Sequence, residues 1–281
     1  MALVDTKTLL SFAEENNMAI GAFNVSNMEM VLGAIKAAEE MKSPIILQIA
    51  EARLKHTPLE LFGPMMLEAA KKSVVNIAIH LDHGLTLETI EKALNMGFTS
   101  VMFDGSHLAF EENILMTKKV VEMAKPFNAT VEAELGVVGG SEDDSEDIIM
   151  NVTNPELVSE FLCMTGVNSL AVAIGNAHGK YAATPTLRLD ILEEIRLKNY
   201  ISLVLHGGSG ITPEDFRKSI DRGIRKINIA TASFEAYTQG SFAYLNSVRN
   251  PEFFGLSSAS IQSVCENIKR HIHIFNNKGE L

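Results

Sequence analysis

The chain of 281 residues is poor in features that mark several large classes of protein. It has only two cysteines, Cys163 and Cys265, with no CxxC pair, so a disulfide-stapled secreted fold is excluded and reduced thiols are expected. No apolar run approaches the roughly 18 residues of a membrane span, and the first residues lack the order of a secretory signal peptide. We therefore expect a cytoplasmic protein with no membrane partner.

Positive charge is also scarce. Lysine and arginine number 24 against 35 aspartates and glutamates, which gives a formal net charge of −11. Nucleic acids and acidic membranes require a basic surface, so we expect no nucleic-acid partner. An anionic ligand would have to be held by a local site.

What the chain does contain is a regular alternation of strand and helix patterns. Buried parallel strands appear as continuous apolar runs, and eight such runs occur: AIGAFNV, PIILQIA, NIAIHLDH, TSVMFDGS, TVEAELG, NSLAVAIG, SLVLHGG and KINIAT. Helical patterns lie between them at 28–41, 67–73, 87–96, 112–125, 154–166 and 212–223.

This alternation predicts an α/β fold, a (β/α)8 TIM barrel with an extra N-terminal helix and a C-terminal helical extension. We expect a single domain over 1–281, with the barrel at about 18–245 and the extension at about 246–281. A doubly wound open sheet is the alternative. It is disfavoured because eight units repeat regularly and no GxGxxG follows the first strand.

Three histidines stand where an apolar strand breaks into a glycine turn: His83 in IAIHLDHG, His178 in LAVAIGNAHG and His206 in SLVLHGGSG. A lone histidine at such a place is usually a hydrogen-bonded structural residue. A barrel, however, brings the carboxyl ends of its strands to one mouth, where active sites lie. Imidazole suits zinc, and a catalytic zinc typically has three protein ligands and an open position. The barrel therefore favours one metal site.

Asp82 directly precedes His83. Neighbours on a regular strand face opposite sides, so both can enter the mouth only if the chain already turns near Gly84. Beside a metal, a carboxylate could exchange a proton with a substrate hydroxyl, or it could orient His83. The spacing leaves both roles open.

Two further segments suggest how a phosphorylated substrate is handled. GGSG (207–210) and NIAT (228–231) end the last two strands, where barrels often hold phosphate with backbone N–H groups, and Ser209 and Thr231 are candidate hydroxyl donors. GVVGGSEDDSED (136–147) is a glycine hinge followed by acidic residues. It predicts either a solvated acidic turn or a mobile loop that brings a base, with Glu142 the first candidate, over the mouth.

Together these motifs resemble the class II, zinc-dependent ketose-bisphosphate aldolases, which include fructose-1,6- and tagatose-1,6-bisphosphate aldolases. The resemblance runs from residue 3 to about 235. The segments that carry it are GAFNV, HLDHG, SVMFDGSH, VEAELGVVGGSEDD, AVAIGNAHG, LVLHGGSG and KINIAT.

The resemblance implies a role for each matching residue. His83, His178 and His206 would bind the catalytic zinc, and Asp104 and Glu134 match a secondary metal position. Asp82 would be the acid/base, Glu142 would take the proton from dihydroxyacetone phosphate, and Asn228 would hold the enediolate. The implied phosphate cradle, with a monovalent cation (Na⁺ or K⁺) nearby, consists of Gly179, Gly207, Gly208, Ser209, Asn228, Ile229, Ala230 and Thr231.

The resemblance also implies the reaction. A ketose 1-phosphate or 1,6-bisphosphate, a small phosphorylated sugar, would be cleaved reversibly to dihydroxyacetone phosphate and an aldehyde through a metal-stabilised enediolate. Such a lyase would serve carbohydrate metabolism, for example glycolysis, as a homodimer or homotetramer. We expect no lysine inside a strand and place Lys226 at the start of the last strand, opposite the mouth, which disfavours Schiff-base chemistry. The alternatives are a non-catalytic barrel subunit and a zinc-dependent hydrolase.

Two departures from the family pattern concern the far end of the substrate. Ala50 stands where members usually carry serine or threonine, and Glu51 follows it. Asn250-Pro251-Glu252 replaces an Asp-Pro-Arg segment whose arginine is associated with the second phosphate, and Arg249 is out of register. Since an acidic side chain repels phosphate, we expect the aldehyde half to differ from glyceraldehyde 3-phosphate.

Overall fold

A computed structural model describes residues 2–140, 150–179 and 185–277. Eight parallel strands close into a barrel, in the order β1-β8-β7-β6-β5-β4-β3-β2 around the ring. They are β1 (Ile20–Asn24), β2 (Ile45–Ala50), β3 (Ile77–Gly84), β4 (Ser100–Phe103), β5 (Thr130–Leu135), β6 (Ser169–Val172), β7 (Ser202–Leu205) and β8 (Ile224–Ile229). The predicted TIM barrel is confirmed.

Helices follow the strands around the outside of the barrel, and further helices precede β1 and end the described chain. They are α1 (Thr6–Glu15), α2 (Met28–Met41), α3 (Leu59–Lys72), α4 (Leu87–Met96), α5 (Phe110–Ala124), α6 (Pro155–Thr165), α7 (Leu189–Lys198), α8 (Pro213–Ile220), α9 (Thr231–Ser247) and α10 (Phe253–Phe275). Among the described residues, no helix is both long and apolar enough to cross a bilayer.

Local signals place most helix ends where the sequence predicts them. The side chain of Thr86 accepts a hydrogen bond from the main-chain N–H of Thr89 and caps α4. α3 differs most from its predicted range, because it begins at Leu59 rather than at residue 67. Pro64 lies inside this helix, and a proline is an ordinary reason to expect a later start.

The barrel interior changes character along its axis. Near the amino ends of the strands, a small apolar cluster includes Ile20, Ile46 and Ala78, and α1 contributes Leu9 and Ala13 to it. Nearer the carboxyl ends, the interior positions carry buried polar and charged side chains instead: Asn24, Gln48, His80, Asp82, Glu132, Glu134, His206, Lys226 and Asn228. The packed lower layer therefore supports a polar mouth.

Candidate active site

The site begins with an irregularity at the end of β3. The pairing of β3 with β4 shifts register between Leu81 and Gly84, and His83 has a positive φ of 42°. A non-glycine residue in this left-handed region is uncommon and marks a strained turn. The sequence predicts a turn near Gly84, and the structure places the strained dihedral one residue earlier, at His83.

Gly84 has a different role in this turn. A Cβ atom there would collide with the main-chain carbonyl oxygen of Met102, so only glycine lets β3 approach β4 this closely. Glu51 holds the segment that follows. Its carboxylate accepts hydrogen bonds from the main-chain N–H groups of Leu85 (2.6 Å) and Thr86 (3.1 Å) and from the hydroxyl of Thr89 (2.7 Å). The Glu51 carboxylate is thus engaged by this loop.

The fold brings the three predicted histidines together. Nitrogen atoms of His83, His178 and His206 lie within 4.8 Å of one another. The ring centroids of His83 and His178 are 4.9 Å apart, and those of His83 and His206 are 4.5 Å apart. Asn176 links the segments that carry His178 and His206, since its side-chain amide donates to the carbonyl oxygen of His206 at 3.0 Å.

The outer nitrogens of two of these rings face carboxylates. His83 Nδ1 lies 2.7 Å from Asp104 Oδ2, and His206 Nε2 lies 2.9 Å from Glu132 Oε1. An ionised carboxylate only accepts hydrogen bonds, so these ring nitrogens are the donors. In neutral rings the remaining nitrogens, His83 Nε2 and His206 Nδ1, then direct their lone pairs at each other across 2.7 Å. Two such lone pairs fit a shared cation.

Two of the histidines, His178 and His206, also have the protonation state that metal binding requires. Burial is the main reason that the pKa values of His178 and His206 lie well below the ordinary value for histidine, and the nearby His83 lowers them further. A neutral imidazole is the form that binds a metal. The residues present therefore fit a metal ion bound by three histidines.

Asp82 is held by amide side chains from three strands. Its Oδ2 accepts from Asn24 at 2.9 Å and from Gln48 at 3.1 Å, and its Oδ1 accepts from Asn228 at 3.0 Å. Burial alone would raise the pKa of this carboxyl, but electrostatic interactions with the nearby His83, His206 and Lys226 and the hydrogen bond from Asn24 hold the pKa below its usual value. Asp82 is therefore an ionised, oriented carboxylate.

Asn24 and Gln48 are parts of the site that the sequence did not reveal. Gln48 also donates to Asn24 Oδ1 at 2.8 Å, so the two amides form one network beneath Asp82. The available signal was a single polar residue within each of the apolar runs GAFNV and IILQIA. Asn228, which was predicted, completes this network from β8.

The segments proposed to hold phosphate lie side by side. Gly207 has φ of 61°, and a Cβ atom there would collide with the carbonyl oxygen of Ala177. The N–H of Gly208 donates to the carbonyl oxygen of Asn228 at 3.0 Å, which joins the two turns. Ser209 Oγ accepts from the N–H of Ala232 at 3.0 Å, in the first turn of α9.

The remaining cradle residues lie around this turn. Ala230 precedes α9, Thr231 begins it, and the N-terminus of a 17-residue helix favours an anion. Ile229 is fully buried in the hydrophobic core, so only its main chain is available to a ligand. Gly179, with φ of 81°, follows His178 directly.

Comparison with known proteins places this arrangement in a family. Residues 4–280 match the family model described as fructose-bisphosphate aldolase class-II. The chain belongs to this family. A probable fructose-bisphosphate aldolase of Bacillus subtilis is 43% identical over 238 residues, which is 82% of each chain. A fructose-bisphosphate aldolase of Staphylococcus aureus is 41% identical over 234 residues, again 82% of each chain.

Similar solved structures support the same family assignment. The YdjI aldolase from Escherichia coli K12 is similar with a TM-score of 0.88 at 36% identity, over 99% of this chain and 98% of that one. A putative fructose-1,6-biphosphate aldolase from Coccidioides immitis gives a TM-score of 0.88 at 30% identity, over 97% and 96%. The protein is thus a class II aldolase, a carbon–carbon lyase, and members of this family are generally metal-dependent.

Two carboxylates of the aldolase were predicted as ligands of a secondary metal. His83, Asp104 and Glu134 do offer ligand atoms within 4.8 Å of one another. Asp104 also lies behind His83, where a carboxylate orients a ligand imidazole. Burial would raise the pKa of Asp104, but its hydrogen bonds with His83 and Ser106 hold that pKa well below the usual value. The secondary metal position stays a prediction.

The predicted lid of the aldolase is described only at its base. Val137 pairs with Asn151 in an antiparallel bridge, and Gly139 and Gly140 pair with Ala177 and His178. The base of the hinge is therefore attached to a predicted metal ligand. Glu142 lies outside the described residues.

Lys226 does not lie at its predicted position. It lies within β8 rather than at its start, fully buried in the barrel interior, and its Nζ is 2.9 Å and 3.1 Å from the two oxygens of Glu132. The expectation that no lysine lies inside a strand was wrong. It failed because the strand begins two residues before the KINIAT run.

Proposed function

We propose that this aldolase reversibly cleaves a ketose 1-phosphate or 1,6-bisphosphate of the fructose or tagatose type to dihydroxyacetone phosphate and an aldehyde, with zinc as its metal. One observation carries the proposal. A buried, ionised Asp82 lies directly beside a cluster of three histidines, and a glycine-rich turn at a helix N-terminus lies next to both.

His83, His178 and His206 would hold the zinc, since three imidazoles suit it. When bound, zinc acts as a Lewis acid that polarises the substrate carbonyl and stabilises the negative charge of bond cleavage. Lys226 is unsuited to the alternative Schiff-base chemistry because Glu132 holds its amine in a buried ion pair.

Asp82 would move the proton of the hydroxyl next to the bond being cleaved. An ionised carboxylate has about four acceptor positions, and three of them are taken by Asn24, Gln48 and Asn228. The remaining position suits a substrate hydroxyl. In the cleavage direction Asp82 accepts the proton, and in the condensation direction it returns the proton.

The other groups would orient the substrate. The 207–210 turn and the first turn of α9 would bind the phosphate through main-chain N–H groups, with Na⁺ or K⁺ nearby. The reaction would pass through an enediolate of dihydroxyacetone phosphate, which Asn228 would hold, and Glu142 would exchange the proton at its carbon. Cytoplasmic location and a homodimer or homotetramer stay predictions.

The direct test is release of triose phosphate from ketose 1-phosphates and 1,6-bisphosphates. Activity should disappear after dialysis against a chelator and return with zinc. The His206→Ala enzyme should be inactive even when zinc is added. His107→Ala changes an exposed histidine of the loop after β4 and is the matched control, expected to remain active. Undiminished activity of the chelated enzyme, or of His206→Ala, would refute the proposal.

The aldehyde half is a separate part of the proposal. The structure places Ala50 beside Asp82 in the β2–β3 pairing, and the Glu51 carboxylate is engaged by the loop after β3. The end of β2 thus lacks the hydroxyl expected at residue 50. We expect a ketose 1-phosphate to be cleaved at least as efficiently as fructose 1,6-bisphosphate. A much higher kcat/KM for the bisphosphate would exclude an altered acceptor.

A further inference from the structure

Below the three histidines, a buried ion pair crosses the barrel interior from β5 to β8. Glu132 and Lys226 are each 0% exposed. The proposed reaction assigns no step to either residue. A buried ion pair is weak evidence for stability, because the free energy needed to remove two charges from water can exceed the free energy gained from their attraction. The pair therefore calls for a specific role.

Its contacts point to that role. Glu132 Oε1 lies 2.9 Å from His206 Nε2, and the same carboxylate contacts Lys226 Nζ through both of its oxygens. Ser169 also donates to Glu132 Oε2, at 3.5 Å. One carboxylate therefore joins the lysine to a histidine of the metal cluster.

We propose that Glu132 and Lys226 are positioning residues that set the tautomer and orientation of His206 for metal binding. The proposal rests on the proposed metal site. The Glu132 carboxylate accepts the Nε2–H of His206, which leaves the lone pair of Nδ1 directed at His83 and the shared metal position. Lys226 fixes the carboxylate between its ammonium group and the imidazole.

The contact between His206 and Glu132 resembles the contact between His83 and Asp104, but a different group holds each carboxylate in place. Asp104 is held at the mouth by Ser106, whose hydroxyl donates to it at 2.7 Å. Glu132 lies deeper, and its ammonium partner comes from β8, three strands away around the barrel. A carboxylate behind a ligand imidazole typically changes metal affinity by 10–100-fold.

The test compares zinc affinity, measured by competition with a chelating dye, among double variants that remove both charges together. Glu132→Leu/Lys226→Met should bind zinc roughly 10–100-fold more weakly than the unmodified enzyme. Glu132→Gln/Lys226→Met should recover most of that loss, because the glutamine oxygen can accept the same N–H. A merely structural role of the pair predicts no such recovery.

A matched control lies one residue along the same strand. Arg225 is also buried and pairs with Glu14 at 2.6 Å, but on the other face of β8. Glu14 is partly exposed and also pairs with Arg196, so Glu14→Gln/Arg225→Met removes a less buried ion pair away from the histidines, and it should leave zinc affinity unchanged. Unchanged affinity in Glu132→Leu/Lys226→Met, or an equal loss in the control, would overturn the proposal.

A second measurement does not depend on folding of the variants. Nitrogen NMR of the zinc-loaded, histidine-labelled enzyme should show His206 protonated at Nε2 and bound to zinc through Nδ1. The reverse assignment would overturn the proposal. If the unmodified enzyme binds no zinc, the proposed function fails instead, so the two failures are distinguishable.

Discussion

At the scale of single residues, the site depends on one unusual backbone position. Asp82 and His83 are adjacent, and on a regular strand only one of them could face the mouth. The positive φ of His83 and the register shift after Leu81 resolve this conflict. Strain of this kind is typical of functional sites, where surrounding contacts maintain it.

Asp82→Asn tests the proton transfer assigned to this carboxylate. Asparagine keeps the shape but loses the basicity, so kcat should fall by roughly 10²–10⁴-fold, the usual contribution of general acid–base catalysis. Zinc content, measured by elemental analysis, should stay unchanged because the proposed zinc ligands are the three histidines and not Asp82. A variant that keeps a tenth or more of kcat would contradict the assignment.

His271 lies away from the mouth of the barrel, and its protonation should make the stability of the folded protein depend on pH. Burial is the main reason that its pKa falls from 6.5 to about 4. The folded state therefore favours the neutral ring, so the stability is complete above pH 6.5 and declines as the pH falls towards 4. By pH 5 the loss should be about 2 kcal/mol.

Urea unfolding of the wild type and His271→Phe at pH 7.5 and pH 5 measures this effect. The neighbours Phe23 and Phe275 make phenylalanine a suitable replacement. The variant should lose less stability on acidification, and an equal loss in both proteins would show that His271 does not contribute.

The residues of the site differed in how far the sequence revealed them. His83, His178 and His206 were predictable because each stands at a strand end beside glycine. Asn24, Gln48 and Glu132 were not, because both faces of a barrel strand are buried and an apolar run conceals which positions point inward. Only the closed barrel shows that these polar residues share one interior.

At the scale of elements, the close contact of β3 with β4 controls the turn at His83. Gly84→Ala would force the Met102 carbonyl away and should cost about 1–3 kcal/mol, the usual range for overpacking. Because the displaced segment carries Asp82 and His83, kcat should fall as well. Thermal unfolding and steady-state kinetics check both effects.

Gly166→Ala is the control for this prediction. Gly166 has a positive φ of 70° but open space around it, so alanine there adds backbone strain without a collision. Its kcat should not change. A Gly84→Ala enzyme with full activity would show that the strand contact does not position the site.

Helices and strands were predicted more reliably than their exact bounds. α2 and α4 occupy their predicted ranges because capping side chains mark their starts. Two of the predicted bounds were wrong. α3 begins eight residues before its predicted range and continues through Pro64, and β8 begins at Ile224, so Lys226 lies inside the strand, where Glu132 pairs with its charge.

At the scale of the whole molecule, barrel closure produces the chemistry. Residues from β1, β2, β3 and β8 meet at Asp82, and the strands and turns from β3, β6 and β7 bring the histidines together. The net charge of −11 gives no general attraction for a phosphorylated sugar. The turns at 207–210 and 228–231 must therefore supply that attraction locally.

Anomalous X-ray diffraction at the zinc edge, from crystals of the zinc-loaded enzyme, tests most directly whether the three histidines bind zinc. A zinc site made by the three histidines places a peak about 2.0–2.1 Å from one nitrogen each of His83, His178 and His206, the usual zinc–imidazole distance. A peak confined to Asp104 and Glu134, or no peak within reach of the three histidines, would contradict it.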